Sequence, residues 1–398
     1  MTIRRVPEDF RVKEVLSPRA RVQIGARTAR SRFAIYEVTK TMLTTPDVAQ
    51  RLAKAVGCAA GKVGWAGLKD KHAVTTQVMS VPAAAKVPER CEAPGWSAAR
   101  VGWSDEELSA ASIEGNLFEI VIRDLSRSAA EEMALRLNRL TGADGDVSVV
   151  NYFGEQRFAS ARHGKGFAGE RLIRGDFEGA LKLLIGTPAR KDSGKRHEFT
   201  RAAANLWGRW DELLKVFPRC AERGAIERLA AGGSALEAFA SLPYLDQQMA
   251  VEAYQSHLWN RVVERLVVHA SNHGALLTAP DAYGNLAFAP VSPEWAQMMV
   301  PIPARDVKVG GLDPRINAAM EVALHSAGVR CDELHMSQMR RPSFTTADRR
   351  LWMQIRDVQL SPIEPDDLSK SGARCKRTLT CRLGTGSYAT VVLRALGQ

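Results

Sequence analysis

The chain has 398 residues, long enough for two or three domains, and its 45% hydrophobic and 25% charged side chains are the mix of a globular protein. No run of about 18 consecutive apolar residues is present, which excludes a helical membrane span, and the opening MTIRRVPEDF lacks the apolar core of a secretory signal. The net charge of +11 is clustered: residues 1–80 hold 15 Lys/Arg against 6 Asp/Glu, and residues 153–201 hold 11 against 6, a distribution that favours RNA or DNA as partner.

In chain order, residues 32–39, RFAIYEVT, alternate as a strand does. Thr45-Pro46-Asp47 then opens a helix, with Thr45 as N-cap, Val48, Leu52 and Val56 as its apolar stripe and Gly57 as its stop. Lys62–Ala66 and Thr76–Val81 read as further strands. Residues 82–111, rich in Pro, Ala and Gly, read as an irregular crossing. Phe118, Ile120 and Ile122 alternate in another strand, and Ser128-Ala129-Ala130-Glu131 reads as the capping box of the next helix. Val147–Tyr152 follows as a strand. Strand–helix–strand thus recurs twice, the pattern of an α+β sheet domain with two related halves.

After residue 160 the character changes. Residues 170–275 are mainly helical in pattern, most clearly Asp246–Ala270, where Tyr254, Leu258, Val262 and Leu266 recur at i+4 spacing. Residues 276–312 break the pattern with Pro and Gly. Strand-like alternation returns at Leu351–Leu360, Arg377–Arg382 and Tyr388–Leu396. A helical block between sheet-like ends reads as an insertion, dividing the chain into 1–160, 161–340 and 341–398.

Two stretches carry candidate chemistry. In WAGLKDKHAVTTQ (65–77), Asp70 stands between Lys69 and Lys71, with His72 next and Gly67 just upstream. Flanking cations favour an ionised carboxylate, suited to a nucleophile or a base; a charged turn is the plainer alternative. In NYFGEQRF (151–158), Phe153 offers a flat face for an unstacked base and Arg157 a fork for phosphate; core aromatics at a strand end are equally compatible. Other signals fail. HGKG (163–166) lacks the spacing of a P-loop. Cys331 and His335 complete no metal-ligand pattern, and Ser256-His257 has no triad context. Six scattered cysteines without a CxxC pair fit a reducing, cytoplasmic compartment.

Taken in order, VPEDFRVKEVL, GWAGLKDKHAVTTQ, EGNLFEIVIRDL, NYFGEQRF, RHGKGFAGERLIRGDFEGAL, AYQSHLWN and GTGSYATVVLRAL resemble the TruD family of tRNA pseudouridine synthases along the whole chain. The resemblance implies a pseudouridine synthase catalytic domain, an antiparallel sheet with flanking helices, carrying a mostly helical α+β TRUD insertion, with RNA bound in a basic cleft. It implies isomerisation of one uridine, at position 13 of tRNA, with other RNAs as substrates of eukaryotic members. It implies no cofactor. A monomer with no metal and no obligate protein partner is expected, although the resemblance does not fix the oligomeric state. Asp70 matches the catalytic position. Lys13, on the opening strand, becomes a candidate partner for Asp70. Lys69, Lys71, His72 and Arg157 become candidates for RNA binding, Phe153 a platform for the flipped base, and Asn151 a residue that fixes the loop or reads the uracil edge. Two other classes are compatible with parts of this pattern. A non-catalytic RNA-binding protein or chaperone would bind tRNA without product. An N-glycoside hydrolase would release free base, although such enzymes use two carboxylates where the Asp70 motif offers one.

Overall fold

The computed structural model describes residues 2–398 apart from 84–86, 162–163, 190–191, 193, 272–275 and 371. Its elements, in chain order, are β1 (Phe10–Leu16), α1 (Pro18–Gln23), β2 (Phe33–Lys40), α2 (Thr45–Val56), β3 (Gly64–Trp65), β4 (Val74–Pro82), β5 (Arg90–Ala93), β6 (Trp96–Ser104), β7 (Ile113–Leu125), α3 (Arg127–Leu140) and β8 (Val147–Val150). There follow α4 (Ala168–Ile173), α5 (Phe177–Leu184), α6 (Gly194–Leu206), α7 (Trp210–Val216), α8 (Arg223–Ala230), α9 (Ala235–Ala240) and α10 (Tyr244–Ala270). The chain then forms β9 (Leu277–Asp281), β10 (Gly284–Phe288), β11 (Met299–Pro301), α11 (Pro314–Ser326), β12 (Asp348–Arg350), β13 (Trp352–Leu360), β14 (Glu364–Pro365), β15 (Cys375–Gly384) and α12 (Ala389–Ala395). No helix among the described residues is long and apolar enough to cross a membrane.

The chain divides into two compact units. The first is Met1–Val149 with Met353–Ala389 and Leu396–Gln398; the second is Val150–Trp352 with Thr390–Ala395. The first is built on a mixed sheet in the order β5-β6-β2-β4-β1-β7-β15-β13-β8, with β14 on β15 and β3 on β4. β1 runs parallel to β4 and antiparallel to β7. On one face α2 buries Val48 and Leu52 against Ala34, Tyr36, Val38, Met79 and Val81. The second unit is mainly helical around α10, whose Trp259, Leu258, Val262 and Leu266 are wholly buried. It also holds the hairpin β9–β10 and the pair β11–β12.

Several expectations are corrected. The irregular crossing of 82–111 contains β5 and β6. Its alternation is diluted because small residues stand between the buried Trp96, Ala98 and Trp103, and β5 is an exposed edge. The strand expected over Lys62–Ala66 is only Gly64–Trp65, after a tight turn at Ala60–Lys62. The cap of α2 is Thr44, not Thr45: Asp47 N–H donates to Thr44 Oγ1 at 3.2 Å and Thr44 N–H donates to Asp47 Oδ2 at 3.0 Å. The cap of α3 is Ser126, not Ser128. Tyr388–Leu396, rich in β-branched residues, holds the helix α12, Ala389–Ala395, in place of a strand. Thr390 and Arg394, four apart on one face, bond Gln156 Oε1 at 3.2 Å and Glu155 Oε1 at 2.7 Å, and this tertiary pairing outweighs strand propensity.

Gly115 of the EGNLF stretch has a steric reason. A Cβ there would lie 2.1 Å from the carbonyl oxygen of Leu383 on β15. Gly115→Ala should therefore force the two strands apart at about 1–3 kcal/mol. Thermal melting checks this, and an unchanged Tm would show that the strands yield freely.

Candidate active site

The WAGLKDKH loop leaves β3 and enters β4, and it is held at Gly67, Lys69 and Asp70. Gly67 O accepts from Gln77 Nε2 at 3.4 Å. Lys69 N–H donates to Thr45 Oγ1 at 2.9 Å, and that hydroxyl donates to Gln77 Oε1 at 3.0 Å. Thr45 is displaced from the cap position, but its buried hydroxyl serves this loop instead. The Lys69 ammonium lies 2.6 Å from Glu14 Oε1, and Glu14 Oε2 accepts from Val78 N–H at 2.9 Å. Lys40 Nζ donates to Leu43 O at 2.8 Å, Asp70 O at 2.9 Å and Lys69 O at 3.4 Å.

The Asp70 carboxylate stands at the end of this scaffold, half-buried. Oδ1 accepts from His72 N–H at 2.9 Å, which closes a turn onto its own backbone. Oδ2 lies 2.9 Å from Arg4 Nη1, and the Arg4 guanidinium is stacked 4.3 Å from the Phe10 ring centroid. A carboxylate with fixed backbone, one oxygen on an amide and the other on a guanidinium has few orientations open to it. Such a group can attack an electrophilic carbon or take a proton without first reorganising.

The other expected residues are placed as follows. Lys13 Nζ is 2.9 Å from Glu37 Oε2, not on Asp70. Neighbours in a strand point to opposite faces, so Glu14, one residue on, is the one that reaches the loop. Arg4 takes the place at Asp70. Lys69 is turned inward to Glu14, while Lys71 and His72 are exposed. A Cβ on Gly67 would meet nothing nearer than Lys69 Nζ at 3.7 Å, so the packing of the free chain does not require glycine there.

Asn151, Phe153 and Arg157 belong to the second unit, where Phe153 and Arg157 bond Asn260 and Ser256 of its other motif, AYQSHLWN. Phe153 N–H donates to Asn260 Oδ1 at 2.9 Å, and Asn260 Nδ2 donates back to Phe153 O at 2.9 Å. The Phe153 ring meets Trp259 edge-on at 5.4 Å and carries the Arg349 guanidinium 4.2 Å from its centroid. It is only 8% exposed. Asn151 Oδ1 accepts from Arg349 Nη2 at 2.7 Å, and its Nδ2 donates to Arg350 O at 3.1 Å. Arg157 Nη2 lies 2.5 Å from Glu252 Oε2. Both ends of the Asn151 amide are thus engaged by Arg349 and Arg350 of β12.

Sequence reasoning did not single out Arg4, Glu14 or Lys40, and it read Thr45 only as a helix cap. A lysine at a strand end and a glutamate beside another lysine carry no local signal; only the register of β1, β2 and β4 brings them to the loop. No group of three or more His, Cys, Asp or Glu among the described residues is arranged to hold a metal.

A family model for tRNA pseudouridine synthase D (TruD) matches residues 1–276. The chain belongs to the TruD family. It is a pseudouridine synthase, an isomerase. Among TruD relatives it is 28% identical over 404 residues to tRNA pseudouridine synthase D of Aquifex aeolicus, covering 99% of this chain and 97% of that one. A Halobacterium salinarum relative is 35% identical over 269 residues, which span 66% of this chain and 60% of its own. A crystal structure from Methanosarcina mazei carrying the TruD name superposes with a TM-score of 0.73 at 23% identity, covering 99% of this chain and 92% of that one. It supports the α+β fold.

Proposed function

We propose that this chain isomerises a uridine of tRNA, at position 13, to pseudouridine, with Asp70 as the catalytic residue and other RNAs as further substrates. The observation that carries this is the Asp70 carboxylate, presented from a loop whose main chain is tethered at Gly67, Lys69 and Asp70 itself. In the reaction the N1–C1′ bond breaks, the uracil turns, and C5 bonds to C1′ while the C5 hydrogen leaves as a proton. Asp70 either attacks C1′ or removes the 2′ proton, and both roles require the ionised carboxylate next to the sugar of an unstacked nucleotide. No second substrate is consumed. In this reading the first unit is the catalytic domain, the second is the TRUD insertion, and the protein acts as a cytoplasmic monomer without a cofactor.

Phe153, packed against Arg349 and Trp259, supports Arg349 and the Asn151 loop in this proposal; its burial argues against an open stacking platform. Lys71 and His72, exposed beside Asp70, are left as the loop's candidates for a substrate phosphate.

Chemistry distinguishes isomerisation from base release. Incubation with tRNA carrying tritium at uridine C5 should release tritium to water with no free uracil. Free uracil would make the protein an N-glycosidase, and neither product with tight RNA binding would make it a binding protein. Affinity for tRNA should also fall steeply with salt. Replacing Arg27 and Arg30, both exposed, should lower the log–log slope by about 0.7–0.9 for each phosphate that the protein then leaves unneutralised. An unchanged slope in titrations at several salt concentrations would place these arginines off the RNA.

A further inference from the structure

Lys40 ends β2 on the face that packs against α2, in the row of Tyr36 and Val38, and it is fully buried. Lysines are almost never buried without a partner. The partners here are three main-chain oxygens: Leu43 O from the turn before α2, and Lys69 O and Asp70 O from the loop. One ammonium thus joins two segments that are far apart in the chain, and one of its acceptors is the carbonyl of Asp70 itself. Packing alone would be served by Met or Leu, without the cost of burying a charge. An apolar side chain would leave three carbonyl oxygens without this donor.

We propose that Lys40 is a positioning residue for Asp70, its ammonium holding the main-chain oxygens of Leu43, Lys69 and Asp70 together so that the carboxylate is presented at one height and one rotation. The inference rests on Asp70 being the catalytic residue.

The clamp has a pH limit. Burial lowers Lys40 to about 8; the nearby Lys69 charge pushes the same way, while Asp70 on the loop and Asp47 on α2 oppose it. Glu14, on β1, is engaged by Lys69. Above this value the neutral amine has two N–H groups for three carbonyls and no charge to strengthen them. The folded value lies below the ordinary 10.5, so between about 8 and 10.5 the unfolded chain holds the additional proton. Lys40 therefore makes the fold more stable, not less, as pH rises through that window. Lost turnover there cannot come from unfolding through this group.

The test is the single-turnover rate of the full chain on saturating unmodified tRNA from pH 6 to 10, with RNA affinity measured alongside. The wild-type rate should fall above a midpoint near 8 with affinity unchanged. Lys40→Arg, which stays charged, should move that limb upward. Lys40→Met should lower the rate at pH 7 by about 10²-fold, as a misplaced catalytic group does, without weakening binding. Thr45→Ala, which removes the acceptor for Lys69 N–H, should lower the rate in the same sense if Lys40→Met does not fold. A wild-type rate flat to pH 9, a limb that Lys40→Arg leaves in place, or a folded Lys40→Met with the wild-type rate would each overturn the inference. A wild type that makes no pseudouridine at any pH would sink the proposed function; an active wild type indifferent to Lys40 would sink this inference alone.

Discussion

Asp70→Asn should reduce conversion of bound RNA by roughly 10³-fold or more while changing affinity by about twofold at most. The substitution keeps the size of the side chain and an oxygen that can accept from His72 N–H, so the turn at 70–72 should survive. What it removes is the negative charge that either attacks C1′ or takes the 2′ proton. The loop owes its position to Lys40, Thr45, Gln77 and the Glu14–Lys69 pair, none of which bonds the Asp70 carboxylate. A variant that folds, binds RNA and still turns over near the wild-type rate would remove Asp70 from the chemistry.

The largest effect on stability should come from Arg123→Ala. Arg123 Nε donates to Asp9 Oδ1 at 2.7 Å, and Nη1 donates to Asp366 Oδ1 and to Asp367 Oδ1, each at 2.8 Å. Three distant pieces of the first unit meet on one guanidinium. The side chains of Asp9 and Asp366 are 1% and 0% exposed. Removing the arginine leaves buried Asp9 without its cation and buried Asp366 with only Arg5, at 4.0 Å, a change that costs about 3–5 kcal/mol. Asp9 also caps the backbone N–H groups of Arg5 and Val6 at 2.9 and 3.1 Å. The segment carrying Arg4 to Asp70 should loosen with it, and activity should fall even below the melting temperature.

The same cluster sets an acid limit. Burial would raise Asp366, but the Leu368 N–H and Arg123 overcome it and hold it below the usual carboxylate range. Lys376 first, then Arg123, hold Asp367 well below that range. Both folded values lie under the unfolded ones, so their stabilisation is present above about pH 4 and is lost as pH falls through the lower, folded values. Calorimetry at pH 7 and pH 3 should show a steep fall of Tm in the wild type and a shallower one in Arg123→Ala. Equal slopes in the two proteins would mean that Arg123 does not depress these carboxylates.

The legible parts of this structure are those whose pattern is local. β2 and β7 announce themselves by alternation, α10 by its i+4 row, and Gly57 ends α2 in the left-handed conformation expected of it. The motif loop stands where its sequence places it, between β3 and β4. The rest depends on register and long-range pairing. Glu14 rather than Lys13 meets the loop because of which face each takes on β1. Thr44 and Thr45 are interchangeable as caps until Gln77 and Lys69 claim one of them. Lys40 looks like any strand-end lysine until three carbonyls converge on it, and Arg4 reaches Asp70 from a segment whose backbone Asp9 caps and Arg123 holds. The β-branched residues of α12 indicate a strand when taken alone, while its bonds to Glu155 and Gln156 require a helix.

That this chain makes pseudouridine through Asp70 is tested most directly by one measurement. Purified wild-type protein and Asp70→Asn are incubated in parallel with unmodified tRNA transcripts, and pseudouridine is mapped by carbodiimide labelling and primer extension. A stop at one uridine, position 13, is expected with the wild type and none with the variant. No stop with wild-type protein that binds the RNA, or the same stop with both proteins, would contradict the assignment.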